Sequence, residues 1–415
     1  MRNNRLHTPD GVSDFLGGEC ERKRAAERAI AGVFAAYGYR EAQSPTFEYF
    51  DVYGSGGTAD ERVFRFIDRD GAVLALRPDM TPACLRIAAT RYAAADAPFR
   101  LSYIAETFRR GEDYHGKRRE ITQAGAELIG ATGESAFAEM ITVSVESLIS
   151  AGLTDFRLDM GSARFFRALL AELGLDGERG RELQSYILSG DFVAAGNLTE
   201  SIDAPSGPKQ LMRSLPLFIG GSEALERAAA LVTGSEAMAA LAALSETKRR
   251  VDLYGMGKYV GFDLSMIGAL DYYTGIIWNA YAPGAAAAVL FGGQYDGLSA
   301  RFGANYPAVG FAINVNTLLD SLGAAPSVAD VLLVAADADC ADEAILAAKE
   351  LRRGGARAQL SLIGWGAEKN ADYARRQGLR GLVYIRPGLA EVTDFAAGTR
   401  ETKKTRVENG KWTII

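Results

Sequence analysis

Between residues 19 and 38 the apolar positions Ile30, Val33, Phe34 and Tyr37 recur at i, i+3, i+4 and i+7, with charged residues opposite and Gly38 at the end. That spacing predicts an amphipathic helix with a glycine stop. The period then changes. Ser44-Pro45 forces an extended backbone, residues 46–50 read as a strand start, and residues 64–68 and 73–76 read as two strands joined at the Asp70-Gly71 turn. A longer strand pair is predicted over 101–110 and 118–129, separated by the polar loop 111–116. From about 137 to 243 helical periodicity dominates, interrupted by a strand near 156–160 and by Gly and Pro near 204–208. Residues 164–250 are read as a helical insertion. Strand patterns return at 261–265, 275–281 and 289–291, and a helix is predicted from Asn314.

Beyond Gly323-Ala-Ala-Pro326, apolar strands at 331–335, 357–362 and 381–385 alternate with helices at 342–354 and 368–378. Such alternation predicts a small α/β domain. The expected class is therefore α+β. Residues 1–325 would form a mostly antiparallel sheet flanked by helices, with the insertion at about 164–250, and residues 326–415 the smaller domain.

Composition narrows the chemistry. Lys and Arg number 46 against 52 Asp and Glu, a net charge of −6, which leans away from a protein devoted to gripping phosphate backbones. No apolar run approaches the ~20 residues of a spanning helix, and the polar start Met1-Arg-Asn-Asn-Arg5 is no signal peptide, so a cytoplasmic location is expected. Cysteines stand far apart at positions 20, 84 and 340, and the histidines are His7 and His115. Neither a disulfide framework nor a zinc site is expected, and no metal or other cofactor. Chemistry must rest on carboxylates, amides, arginines and tyrosines.

The segment from Leu76 to Arg86 sets Asp79 and Thr81 at a strand-to-helix corner, beside free backbone amides. They either cap that helix or face a ligand. On the strand 119–130, a period of two puts Ile121, Gln123, Gly125 and Glu127 on one face. At ~3.3 Å per residue the roots of Gln123 and Glu127 stand roughly 13 Å apart, enough to bracket a small ligand over Gly125. The other face, with Thr122, Ala124, Ala126 and Leu128, is more apolar, so a solvent-facing polar face stays open as the alternative. Other motifs are weak. Gly54-Ser-Gly-Gly-Thr58 lacks the ending of a phosphate loop, Gly255 to Gly261 misses dinucleotide spacing by one residue, and Lys403, Lys404 and Arg406 read as a solvated turn.

Five segments then occur in a telling order: Leu76-Arg-Pro-Asp79; Phe108-Arg109 with Arg119-Glu-Ile-Thr-Gln-Ala-Gly-Ala-Glu127; Ala269-Leu-Asp-Tyr-Tyr-Thr-Gly275; Gly292-Gly-Gln-Tyr-Asp-Gly-Leu298; and Pro307-Ala-Val-Gly-Phe-Ala-Ile313. Together they resemble histidyl-tRNA synthetases over residues 9–320, which implies a class II synthetase core. By that resemblance Asp79 replaces a glutamate that, with Thr81 and Gln123, holds the amino group of histidine. Glu127 and Tyr273, with Tyr272 alongside, match the imidazole side, and Arg109 matches the arginine of motif 2. The nucleotide end departs from the family. The Glu-Arg after that arginine is Gly111-Glu112, the motif 3 arginine is Thr317, and the arginine preceding Gly-Leu-Asp-Tyr-Tyr is Gly268.

Losing one transition-state cation costs several powers of ten in rate, and neither Gly nor Thr substitutes for a guanidinium. A retained amino-acid end with a depleted nucleotide end is similar to the ATP phosphoribosyltransferase regulatory subunits, paralogues of the synthetase. That resemblance implies a non-catalytic subunit of the first step of histidine biosynthesis, with a short-form phosphoribosyltransferase as partner and histidine as effector. It also implies a homodimer within a hetero-oligomer, and no nucleic-acid ligand. A divergent histidyl-tRNA synthetase and a stand-alone RNA-binding relative are the alternatives.

Overall fold

The structure is a computed structural model that describes residues 4–54, 62–92, 96–110, 118–175, 177–268, 273–323 and 329–415. It divides into two compact units, Met1–Asp14 with Lys23–Gly323, and Phe15–Arg22 with Ala324–Ile415. The linker expected near 325 falls at 324–328, outside the described residues. No helix among the described residues is long and apolar enough to cross a membrane.

Helix α1 (Gly17–Ala36) belongs to the first unit from Lys23 onward, where it buries Ala26, Ile30 and Phe34, and the Phe34 ring packs edge-on against Phe311 at 5.9 Å between centroids. Val33 and Tyr37, predicted on the same stripe, are only half-buried. After β1 (Arg40–Glu41), the strands β2 (Phe47–Tyr49), β3 (Arg65–Ile67) and β4 (Val73–Leu76) form a small antiparallel sheet in the order β2-β4-β3. Asp70 Oδ1 accepts from the Ala72 amide at 3.2 Å and so stabilises the predicted turn.

Helix α2 (Thr81–Arg91) follows, with Pro82 in its first turn. The long strands β5 (Phe99–Phe108) and β6 (Glu120–Ile129) pair antiparallel throughout, as the hydrophobic pattern predicted. Helix α3 (Glu134–Ser150) is buried on nearly every side, so it has a continuous apolar sequence rather than a stripe. Next come β7 (Arg157–Ser162) and the predicted insertion: α4 (Ala163–Glu172), α5 (Gly177–Leu188), α6 (Phe192–Glu200), α7 (Ser206–Arg213), β8 (Ile219–Gly220), α8 (Ser222–Ala229) and α9 (Ser235–Leu253). Ser162 and Asp191 cap α4 and α6 by accepting the Phe165 and Ala194 amides at 3.1 and 2.9 Å.

The chain returns through β9 (Val260–Asp263), β10 (Ile276–Tyr281), β11 (Leu290–Gln294) and β12 (Ala308–Asn314) to α10 (Val315–Ser321). The main sheet runs β1-β5-β6-β12-β11-β10-β7-β9-β8. Only the pairs β1/β5 and β7/β9 are parallel. This is the mostly antiparallel, helix-flanked α+β architecture expected.

In the second unit β13 (Ala329–Ala336), α11 (Ala341–Arg353), β14 (Arg357–Leu360), α12 (Ala367–Arg376) and β15 (Leu379–Arg386) reproduce the predicted alternation, with β14, β13 and β15 parallel. The sheet then continues antiparallel through β16 (Leu389–Asp394), β17 (Thr399–Glu408) and β18 (Lys411–Ile414). Lys403, Lys404 and Arg406 therefore lie in β17 rather than in a turn.

Candidate functional site

The strand-to-helix corner is fixed by Arg77, which is 6% exposed. Its Nε donates to the Glu106 carbonyl at 2.7 Å and its Nη1 to the Ser44 carbonyl at 2.9 Å, so this guanidinium braces backbone. Asp79 Oδ1 accepts the Thr81 amide at 3.3 Å, the capping contact expected of such a corner. Capping does not exhaust the pair. Asp79 and Thr81 both line a cavity of about 480 Å³, as do Arg109, Gln123 and Tyr273. Tyr272 lies outside the described residues.

Glu127 does not line that cavity. It is 1% exposed and sits behind the wall, where the Thr81 hydroxyl donates to Oε1 at 2.8 Å, the Tyr103 hydroxyl to Oε1 at 3.4 Å and the Tyr295 hydroxyl to Oε2. Gly310, directly opposite on β12, makes the space, since any side chain there would collide with Glu127 Oε2. Burial pushes the Glu127 carboxyl up to about 8, against the opposing pull of the hydroxyl donors. Burial likewise pushes the Tyr273 phenol well above its usual range.

Gln123 supplies an unmet group. It is 8% exposed, and its buried Oε1 has no hydrogen-bond partner among the described residues. Leaving such an acceptor empty costs about 1–3 kcal/mol, which a ligand donor at this wall would recover. The alternative of a solvent-facing strand is ruled out, because Gln123 and Glu127 are both buried, at 8 and 1% exposed.

The positions where the nucleotide-binding arginines were expected have a different character. Gly268 lines it with φ +86°, a left-handed conformation that resists any residue with a side chain, and a Cβ there would stand 3.2 Å from the Tyr273 ring. Thr317 is on α10 away from the wall, its amide capped by Asn314 Oδ1 at 3.1 Å. Gly111 and Glu112 lie outside the described residues. Arg109 lines the wall with its Nε on the Pro78 carbonyl at 2.9 Å.

Sequence reasoning missed several contributors. Tyr295 lay inside a quoted motif without a role, and Tyr103 alternates inward on β5 opposite Gly125. Arg62, Asn279, Tyr281 and Leu188 also reach the cavity, and none of them belongs to a recognisable motif. No group of three His, Cys, Asp or Glu side chains that could hold a metal occurs among the described residues.

A nine-stranded, mostly antiparallel sheet flanked by helices, with a cavity lined by Asp79, Thr81, Arg109 and Gln123, is the architecture of a class II synthetase core. Residues 11–318 match the profile of the family described as Histidyl-tRNA synthetase. The histidyl-tRNA synthetase of Nostoc sp. PCC 7120 shares the fold, with a TM-score of 0.81 at 18% identity over 96% of this chain and 97% of that one. More specific likenesses follow. The ATP phosphoribosyltransferase regulatory subunit of Moorella thermoacetica is 40% identical over 320 residues, 77% of this chain and 82% of its own length. That of Acetivibrio thermocellus is 32% identical over 389 residues, 92% of this chain and 93% of its own. A Bacillus halodurans structure described as an ATP phosphoribosyltransferase regulatory subunit/histidyl-tRNA synthetase superposes with a TM-score of 0.82 at 25% identity, covering 93% of this chain and 99% of that one. The chain belongs to the histidyl-tRNA synthetase family and, within it, to the ATP phosphoribosyltransferase regulatory subunits.

Proposed function

We propose that this chain is a non-catalytic regulatory subunit of ATP phosphoribosyltransferase in histidine biosynthesis, and that it senses histidine in the cavity described above. The observation that carries this reading is the asymmetry of the cavity. Asp79, Thr81 and the unmet amide of Gln123 line the cavity together, while Gly268 supplies no guanidinium and leaves Arg62 and Arg109 as the lining arginines. An ammonium beside Asp79 with a partner on Gln123 would form charge-assisted bonds of about 1.5–3 kcal/mol. Activation of the bound amino acid would need fixed cations on the α-phosphate, and the Gly268 backbone does not accommodate one.

The partner is a short-form catalytic phosphoribosyltransferase. Histidine regulates it by binding one state of the complex more tightly than another. A homodimer within the assembly is supported by an exposed aromatic face on the small sheet. Phe47, Tyr49 and Phe66 are 50, 64 and 41% exposed, and the Phe47 and Phe66 rings pack edge-on at 5.6 Å between centroids.

The test is co-purification with a short-form phosphoribosyltransferase, followed by activity measurements with and without histidine. Association with histidine-dependent inhibition is expected. If the two chains neither associate nor alter each other's activity, the proposal fails, and histidine-dependent exchange of pyrophosphate into ATP would favour a divergent synthetase instead.

A further inference from the structure

The side chain of Tyr273 faces the cavity, but its main chain is held by the helical insertion. Arg167, on α4, donates Nη1 to the Tyr273 carbonyl at 3.3 Å and Nη2 to the Thr274 carbonyl. Nearby, the Ala163 amide at the start of α4 donates to the Gly275 carbonyl at 2.8 Å, and the Thr274 amide donates to the Gln294 carbonyl at 2.8 Å. Residues 273–275 are thus clasped between β11 on one side and α4 on the other. The same insertion sends Ile187 and Leu188, at the end of α5, to the cavity wall. Two parts of the insertion therefore meet the ligand site, one through a side-chain wall and one through a guanidinium on the backbone.

We propose that Arg167 is a positioning residue that sets the Tyr273 wall of the cavity and ties it to the helical insertion. This deepens the histidine-sensing reading and rests on it for the ligand. A planar guanidinium that bridges two successive carbonyls fixes the peptide unit between them, and with it the direction of the Tyr273 side chain. A lysine ammonium can reach carbonyls but lacks the rigid planar fork, so it holds the pair less firmly. Without either, the segment keeps its strand bonds to β11 but loses the brace on its outer side, so the wall loosens while the sheet remains.

The experiment uses the full chain with Arg167→Ala and Arg167→Lys, read by histidine titration calorimetry and by amide hydrogen exchange of the ligand-free protein. Histidine should bind Arg167→Ala about tenfold more weakly, with Arg167→Lys recovering part of the loss. In the ligand-free alanine variant, exchange across 273–281 should rise about tenfold while β6 and α3 stay unchanged. Unchanged affinity with unchanged exchange overturns the proposal. So does faster exchange everywhere, which would make Arg167 a general structural residue. If the wild-type chain gives no histidine signal, the histidine reading falls, and the exchange comparison alone still decides whether Arg167 positions this wall.

Discussion

At one end of the cavity, Thr81, Tyr103 and Tyr295 all donate to the single buried carboxyl of Glu127, so the wall that carries Asp79, Thr81 and Gln123 is locked from behind. Elsewhere on the lining, Gly268 sits in a left-handed turn that resists a side chain, Asn279, Tyr281 and Asn314 offer neutral groups, and Arg62 and Arg109 are the cations. The first end is rigid and supplies specific polar groups, as recognition of one small zwitterion requires. The rest of the lining keeps Arg62 and Arg109 but has no cation at Gly268, and Thr317 lies away from the wall, so it is short of the fixed cations on which phosphoryl chemistry depends. Three hydroxyls trained on one buried acid make that wall a built feature, which the absence of a side chain at Gly268 does not disturb.

The comparison can be broken most severely at Asp79. Asp79→Asn should raise the dissociation constant for histidine roughly 10–100-fold by calorimetry, because it removes the charge facing the ammonium. Unchanged affinity would reduce Asp79 to a helix cap. Next in size is the pH response of Glu127. Its carboxyl is raised from 4.5 to about 8 in the folded chain, so between those values the folded state binds a proton that the unfolded state has released. Stability from this group is present below about 4.5 and is lost as pH rises towards 8. Glu127→Gln cannot ionise, so its stability relative to wild type should improve by roughly 1–3 kcal/mol from pH 5 to pH 8 in denaturant titrations. A constant difference across that range would mean Glu127 is ionised in its pocket.

Smaller effects sharpen the contrast at the nucleotide end. Gly268→Arg should give no pyrophosphate exchange and should cost about 1–2 kcal/mol of stability, from forcing a side chain into left-handed backbone. Measurable exchange would show that a single missing cation was the whole barrier. Asn279→Ala should change histidine affinity by less than about twofold, since it is not among the residues matched to histidine binding. A larger change would mean the ligand spans both ends.

Most of the scaffold was legible because its elements carry clear periods. The Ile30–Phe34 spacing marked α1, alternation marked β5 and β6, and the helical stretch marked the insertion from α4 to α9. Strand β17 escaped because it pairs on both sides yet leaves all but Lys403 and Thr405 of its side chains exposed, so no hydrophobic alternation betrays it. The cavity's polar front, Asp79, Thr81, Arg109, Gln123 and Tyr273, was named from local motifs. What stands behind it was not, since Tyr295 reaches Glu127 from 168 positions away and a backbone torsion such as that of Gly268 leaves no trace in composition. Arg167 was invisible for the same reason, because its partners are carbonyl groups that every residue has.

The central claim is that this cavity binds histidine without activating it. Its most direct test is an equilibrium titration of the purified full chain with histidine, in the absence and presence of ATP and magnesium. The account predicts saturable binding of one histidine per chain, with the same affinity in both conditions and no pyrophosphate released. Absence of binding, or binding that tightens with ATP and releases pyrophosphate, would contradict it.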